Sequence, residues 1–92
     1  MSEHAQRTVT ICNDKGLHAR ASAKFVGLVA RLPDDVAVEV AKDGHGVPGG
    51  SIMGLMMLGA GKGSDIQITV DGPDAERIAD KLVGLVMDGF GE

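Results

Sequence analysis

Hydropathy alternates along Arg7–Ile11, with Val9 and Ile11 pointing one way and Thr8 and Thr10 the other. β-Branched side chains at that period predict a strand with one buried face. Asn13–Gly16 is polar and ends in glycine, so it reads as a loop. The period then changes. Over His18–Leu32, Ala19, Ala23, Val26 and Ala30 recur at steps of three or four, with Leu17, Phe25 and Val29 beside them. That stripe predicts a helix, ended by Pro33 because the residue before a proline disfavours the α region. Val36, Val38 and Val40 alternate with Ala37, Glu39 and Ala41, a second strand. Lys42-Asp43-Gly44 carries a hairpin turn signal. The return over Gly46–Gly50 contains Pro48 and supports only a short edge strand, since proline removes a ladder donor and glycine weakens a strand.

Ser51–Leu58 is a short apolar segment with a good N-cap in Ser51 and a C′ glycine in Gly59, which predicts one or two helical turns. Leu55 and Leu58 are the inward positions. After a loop over Ala60–Ser64, Asp65–Asp71 alternates as a third clear strand with Ile66, Ile68 and Val70 facing in. Gly72 and Pro73 open the last helix, Asp74 and Glu76 complement its dipole, and Ile78, Ala79, Leu82, Val83, Leu85 and Val86 make its buried stripe, up to Gly89. The order is β-α-β-β-α-β-α. The central hairpin argues against an all-parallel sheet, so the expected α+β architecture is an antiparallel sheet covered on one face by helices. No repeat or boundary divides residues 1–92, which read as one domain.

Composition narrows the chemistry. The chain has two Phe and no Tyr or Trp, so its core must be aliphatic and it has no stacking platform for single-stranded nucleic acid. A net charge of −4 argues against any phosphate-backbone binder. A single cysteine, Cys12, excludes an intrachain disulfide and a multi-cysteine zinc site. Met1–Gln6 shows no apolar signal region, and no apolar run approaches the roughly 20 residues a bilayer requires. The expected setting is therefore cytoplasmic.

Chemistry concentrates where the first loop meets the first helix, at Gly16-Leu17-His18-Ala19-Arg20. A helix N-terminus offers unpaired N–H groups and a positive dipole end to an anion. Arg20 adds a guanidinium fork that matches phosphate geometry. His18 adds an imidazole with a free lone pair near neutral pH, which needs no neighbouring base to take a phosphoryl group. By spacing alone, however, a single histidine at a helix start is more often a cap or a solvated residue.

The same five residues resemble the active-site motif of the HPr family, the histidine phosphocarriers of the phosphoenolpyruvate-dependent phosphotransferase system. The likeness extends over nearly the whole chain, including the Ser51–Leu58 helix and the Leu58-Gly59 step. It implies an open-faced sandwich of four antiparallel strands with three helices on one face. It also implies that His18 is phosphorylated on Nδ1 by phospho-Enzyme I and passes the group to an EIIA protein, with Arg20 stabilising the phosphate. Many members carry proline after the arginine; here Ala21 stands there, and Ala19–Phe25 looks more like the nitrogen-related branch (NPr) and related proteobacterial HPr proteins.

The resemblance makes Ser51 a candidate for phosphorylation by an HPr kinase/phosphorylase, beside its plain role as a helix cap. It makes Ile52, Met53 and Met56 an apolar docking patch, with Ala21 and Lys24 as further partner contacts. Core packing is the bland reading of the methionines, but a helix this short cannot bury its whole circumference. His4 is expected in a frayed tail, His45 in solvent, and Cys12 buried at the end of the first strand. The three histidines show no metal-ligand spacing, so neither metal nor cofactor is expected. Gly61-Lys62-Gly63-Ser64 resembles a P-loop only superficially, because it opens a strand rather than a helix. The expected species is a monomeric carrier rather than an independent enzyme. Two other readings stay open: a purely regulatory interaction module acting through Ser51 and the Met-rich helix, and a small-molecule-binding ferredoxin-like sandwich.

Overall fold

The computed structural model describes residues 3–92. Four strands, β1 (His4–Thr10), β2 (Ala37–Lys42), β3 (His45–Pro48) and β4 (Asp65–Asp71), form one antiparallel sheet in the order β1-β4-β2-β3. Register aligns the buried positions. Val9 lies opposite Ile66, and Val40 lies opposite Ile68 on one side and Val47 on the other. The helices α1 (Ala19–Ala30), α2 (Ile52–Met57) and α3 (Ala75–Met87) cover one face, and a short 3₁₀ turn follows at Gly89–Gly91. The core joins Ala5, Val9, Val40, Ile66, Ile68 and Val70 of the sheet to Phe25, Leu55, Ile78, Leu82 and Val86 of the helices. None of these helices is long and apolar enough to cross a membrane.

Several expectations are corrected. β1 begins at His4, which pairs with Asp71 across the sheet and holds its carboxylate through Nδ1 at 2.6 Å. The polar His-Ala-Gln-Arg run carries no apolar alternation; it is a strand because β4 supplies a full-length partner. The buried face of α1 is turned from the one expected. Ala21, Ser22 and Phe25 are buried, whereas Ala19, Ala23 and Ala30 are exposed. Burying a phenylalanine gains far more than burying alanines, so Phe25 sets the helix rotation. Pro73 lies outside α3, whose N-cap is Asp74 in a left-handed conformation (φ 61°) that makes no side-chain cap bond. Cys12 is exposed, its thiol donating to the Val86 and Met87 carbonyls at 3.4 Å each.

The weak return strand lies at a sheet edge as β3. Gly49 just beyond it is needed for close approach: its N–H donates to the Val38 carbonyl at 2.8 Å, and a Cβ there would sit 2.6 Å from Val38 Cγ1. Ser51 caps α2 as expected, its Oγ accepting from the Gly54 N–H at 3.0 Å. Replacing Ser51 with alanine should therefore lower stability by about 1 kcal/mol, checked by the urea midpoint. A change indistinguishable from zero would mean that this cap contributes nothing to the fold.

Candidate functional site

The loop before α1 is pinned against a second loop. Leu17 N–H donates to the Ala60 carbonyl at 2.9 Å. Gly16, at φ 62°, passes so close that a Cβ would lie 2.3 Å from Ala60 O. This delivers His18 to the N-cap of α1, where its Nδ1 accepts from the Arg20 N–H at 3.3 Å. The first α-helical bond behind it runs from Ser22 N–H to the His18 carbonyl. The N–H groups of Ala19 and Ala21 therefore have no intrahelical acceptor and sit at the positive end of the helix.

The opposite ring nitrogen, Nε2, contacts the Glu92 carboxylate. These two partners assign the tautomer, because a carboxylate takes the Nε2–H and an N–H needs the Nδ1 lone pair. Glu92 lies 74 residues away and is carried in by the closing turn. Gly89, Phe90 and Gly91 all have positive φ, Phe90 is fully buried, and Lys24 Nζ donates to the Phe90 carbonyl at 2.6 Å. Asn13 completes the cluster. It is buried, and its Nδ2 donates to the Gly16 carbonyl at 2.9 Å and to Glu92 Oε1 at 3.2 Å.

Glu92 is held below the usual glutamate range. The main cause is its hydrogen bond with His18, followed by that from Asn13; partial desolvation opposes this, and the Lys24 charge adds to it. With the folded value below the unfolded one, this contact stabilises the fold above the usual glutamate range. The contribution is lost as pH falls through the lowered folded value. A Glu92→Gln variant should melt below the native chain at neutral pH and approach it in acid. Melting temperatures across that range check this, and a gap that stays constant contradicts it.

Arg20 is exposed on the rim of the cleft shared by Cys12, Asn13, Lys15, His18 and Glu92, and its guanidinium has no ion-pair partner among the described residues. On α2, Ile52 (39% exposed) and Met56 (41%) form one i, i+4 pair, and Met53 (69%) and Met57 (80%) form another. Leu55 alone of this helix is buried. Met57, not among the expected docking positions, is thus the most exposed side chain of the patch.

One expected contact changes. Ala21 is wholly buried, so its side chain is absent from any surface, because it faces the core one turn before Phe25. Lys24 is exposed, as a partner contact requires, and its ammonium also donates to the Phe90 carbonyl. Asn13 and Glu92 went unread in the sequence. Asn13 looks like any loop residue, and no local signal links Glu92 to a histidine so distant in the chain.

A family model described as the PTS HPr component phosphorylation site matches residues 5–88. The phosphocarrier protein HPr of Cupriavidus necator is 45% identical over 87 residues, covering 95% of this chain and 96% of that protein. The phosphocarrier protein NPr of Shewanella violacea is 36% identical, covering 95% and 93%. The crystal structure of HPr-C-His from Thermoanaerobacter tengcongensis superposes with a TM-score of 0.87 at 36% identity, covering 96% of this chain and 97% of that one. A histidine poised on a helix N-terminus, in this fold and across this length of similarity, has one reading: the chain belongs to the HPr family, the phosphocarriers of the phosphotransferase system.

Proposed function

We propose that His18 Nδ1 takes a phosphoryl group from phospho-Enzyme I and delivers it to an EIIA protein, acting as a monomer in the cytoplasm. The observation that carries this reading is the pair of ring contacts, Nδ1 facing the Arg20 N–H at the start of α1 and Nε2 against the Glu92 carboxylate, which together favour an unprotonated Nδ1. In the inward step the Nδ1 lone pair forms the N–P bond while the donor's bond to phosphorus breaks, its electron pair returning to the donor. The ring keeps its Nε2 proton and gains positive charge, which faces the Glu92 carboxylate. In the outward step the N–P pair returns to Nδ1 and leaves a neutral imidazole. No proton moves in either direction.

Arg20 and the free N–H group of Ala19, both on the cleft wall, supply donors for the phosphoryl oxygens. Losing one such donor typically slows a reaction by ~10²-fold. Arg20→Ala should therefore cut the transfer rate by about that factor, measured by rapid quench. A loss below threefold would remove Arg20 from this role.

Ile52, Met53 and Met56 offer adaptable apolar contacts to successive partners. Met53→Glu should raise the KM for Enzyme I by roughly tenfold, the effect of about 1.4 kcal/mol at an interface. An unchanged KM would place docking elsewhere. Ser51 phosphorylation by an HPr kinase/phosphorylase would put a dianion beside the same patch and weaken docking to acidic partners.

Mixing the native chain with Enzyme I, magnesium and phosphoenolpyruvate tests the whole reading. Intact mass should show one acid-labile phosphoryl group, mapped by peptide sequencing to His18. No transfer, or a label elsewhere, overturns it. The latter result on Ser51 alone would favour the purely regulatory module.

A further inference from the structure

The side chain that the carrier chemistry leaves unexplained is Asn13. It is 7% exposed, and its carbonyl Oδ1 is buried with no hydrogen-bond partner among the described residues. An orphaned buried acceptor is unfavourable, and a leucine, branched at the same atom, would avoid it. What asparagine supplies in return is the Nδ2 donor pair, one bond to the Gly16 carbonyl and one to Glu92 Oε1. The amide cannot be turned round. A flipped carbonyl would face two acceptors, the Gly16 oxygen and the Glu92 carboxylate.

We propose that Asn13 is a positioning residue for phosphoryl transfer: it orients the Glu92 carboxylate so that His18 is held as its Nε2–H tautomer, with Nδ1 free to react. This rests on the phosphocarrier reading. The chain of contacts is Asn13 Nδ2 to Glu92 Oε1, then Glu92 Oε2 to His18 Nε2. A carboxylate held at one oxygen has its other oxygen aimed, which is how a partner behind a catalytic ring fixes tautomer and orientation. Glu92 needs such a hold because it sits at the far end of a turn in which Gly89, Phe90 and Gly91 all have positive φ. Asn13 is the group that ties the carboxylate itself to the loop carrying His18. The same amide bonds Gly16, next but one to His18, so a single side chain sets the height of the ring and the direction of its partner.

The competing account is that Asn13 only pins the loop through Gly16. A double-mutant cycle separates the two. Asn13→Leu removes both bonds. Glu92→Ala removes the Glu92 path and leaves the Asn13 bond to Gly16. Long-range ¹H–¹⁵N spectra of His18 in the unphosphorylated chain report the tautomer, and Enzyme I kinetics report transfer.

In Asn13→Leu the share of Nε2–H tautomer should fall, and kcat for transfer should drop about tenfold with KM unchanged. Adding Asn13→Leu to Glu92→Ala should slow transfer by less than twofold further. Full additivity, or slowed transfer with an unchanged tautomer, overturns the proposal and leaves loop pinning. If the leucine variant does not fold, Asn13→Asp keeps the side-chain shape, removes the donor, and carries the same expectations. The tautomer measurement needs no phosphoryl donor. Failure of the native chain to accept a phosphoryl group therefore overturns the carrier reading separately from this one.

Discussion

His18→Ala should leave a folded chain that carries no phosphoryl group. The side chain lies outside the core, and its structural roles are the N-cap bond from Arg20 N–H and the contact with Glu92. Losing a cap typically lowers stability by about 1 kcal/mol, small against the roughly 5–15 kcal/mol of an ordinary domain. Transfer, by contrast, has no substitute imidazole in the cleft. The other histidines, His4 and His45, lie in β1 and β3, outside the cleft. Intact mass after exposure to Enzyme I and phosphoenolpyruvate, with a thermal melt alongside, gives both quantities. A variant that still gains an acid-labile phosphoryl group would remove His18 from the reaction. A variant that fails to fold would mean that the cap and the Glu92 contact carry far more stability than such bonds do elsewhere.

Phe90→Ala should produce the largest loss of stability of any substitution in the closing turn, about 3–5 kcal/mol. Phe90 is fully buried, beside an otherwise aliphatic core that holds only one other phenylalanine, Phe25. Its backbone adopts φ 57°, a left-handed conformation that a non-glycine residue holds only when packing compensates. Removing the ring leaves a cavity and no reason for the turn to stay closed. Glu92 would then drift from His18, and the variant should transfer more slowly as well as unfold earlier. Denaturant titration measures the first effect and Enzyme I kinetics the second. Lost stability with native transfer rates would show that Glu92 reaches His18 without this anchor. A loss under 1 kcal/mol would mean that the ring does not hold the turn.

Much of the architecture was legible because it is written in short-range periods. Alternation identified the strands around Val9, Val38 and Ile68, and Ser51 with Gly59 bounded the short helix. The weak, glycine-rich return after the Asp43-Gly44 turn could be read as an edge strand, because a proline there excludes a central one. The centre of the site was also local. Gly16, His18 and Arg20 lie within five residues, and a helix start gives those residue types a chemical meaning.

Where periodicity was silent, the fold decided. In α1 alanines occur on several faces, so the pattern of apolar residues admits more than one rotation. Packing of Phe25 selects one of them, buries Ala21 and turns Ala19 and Ala23 outward. His4 belongs to a strand only because Asp71 of β4 lies opposite it.

The sequence by itself determined the identity and order of the elements, the antiparallel class, the histidine and arginine at the start of α1, and the exposed Met-rich helix. All of these depend on residues within a few positions of one another. The tertiary structure alone decided which face of α1 is buried, that the Lys24 ammonium bonds the closing turn, and that Asn13 and Glu92 join His18. Those contacts bridge as many as 79 residues. Their partners are chosen by packing of the whole core around Phe25 and Phe90, and no local pattern encodes that choice.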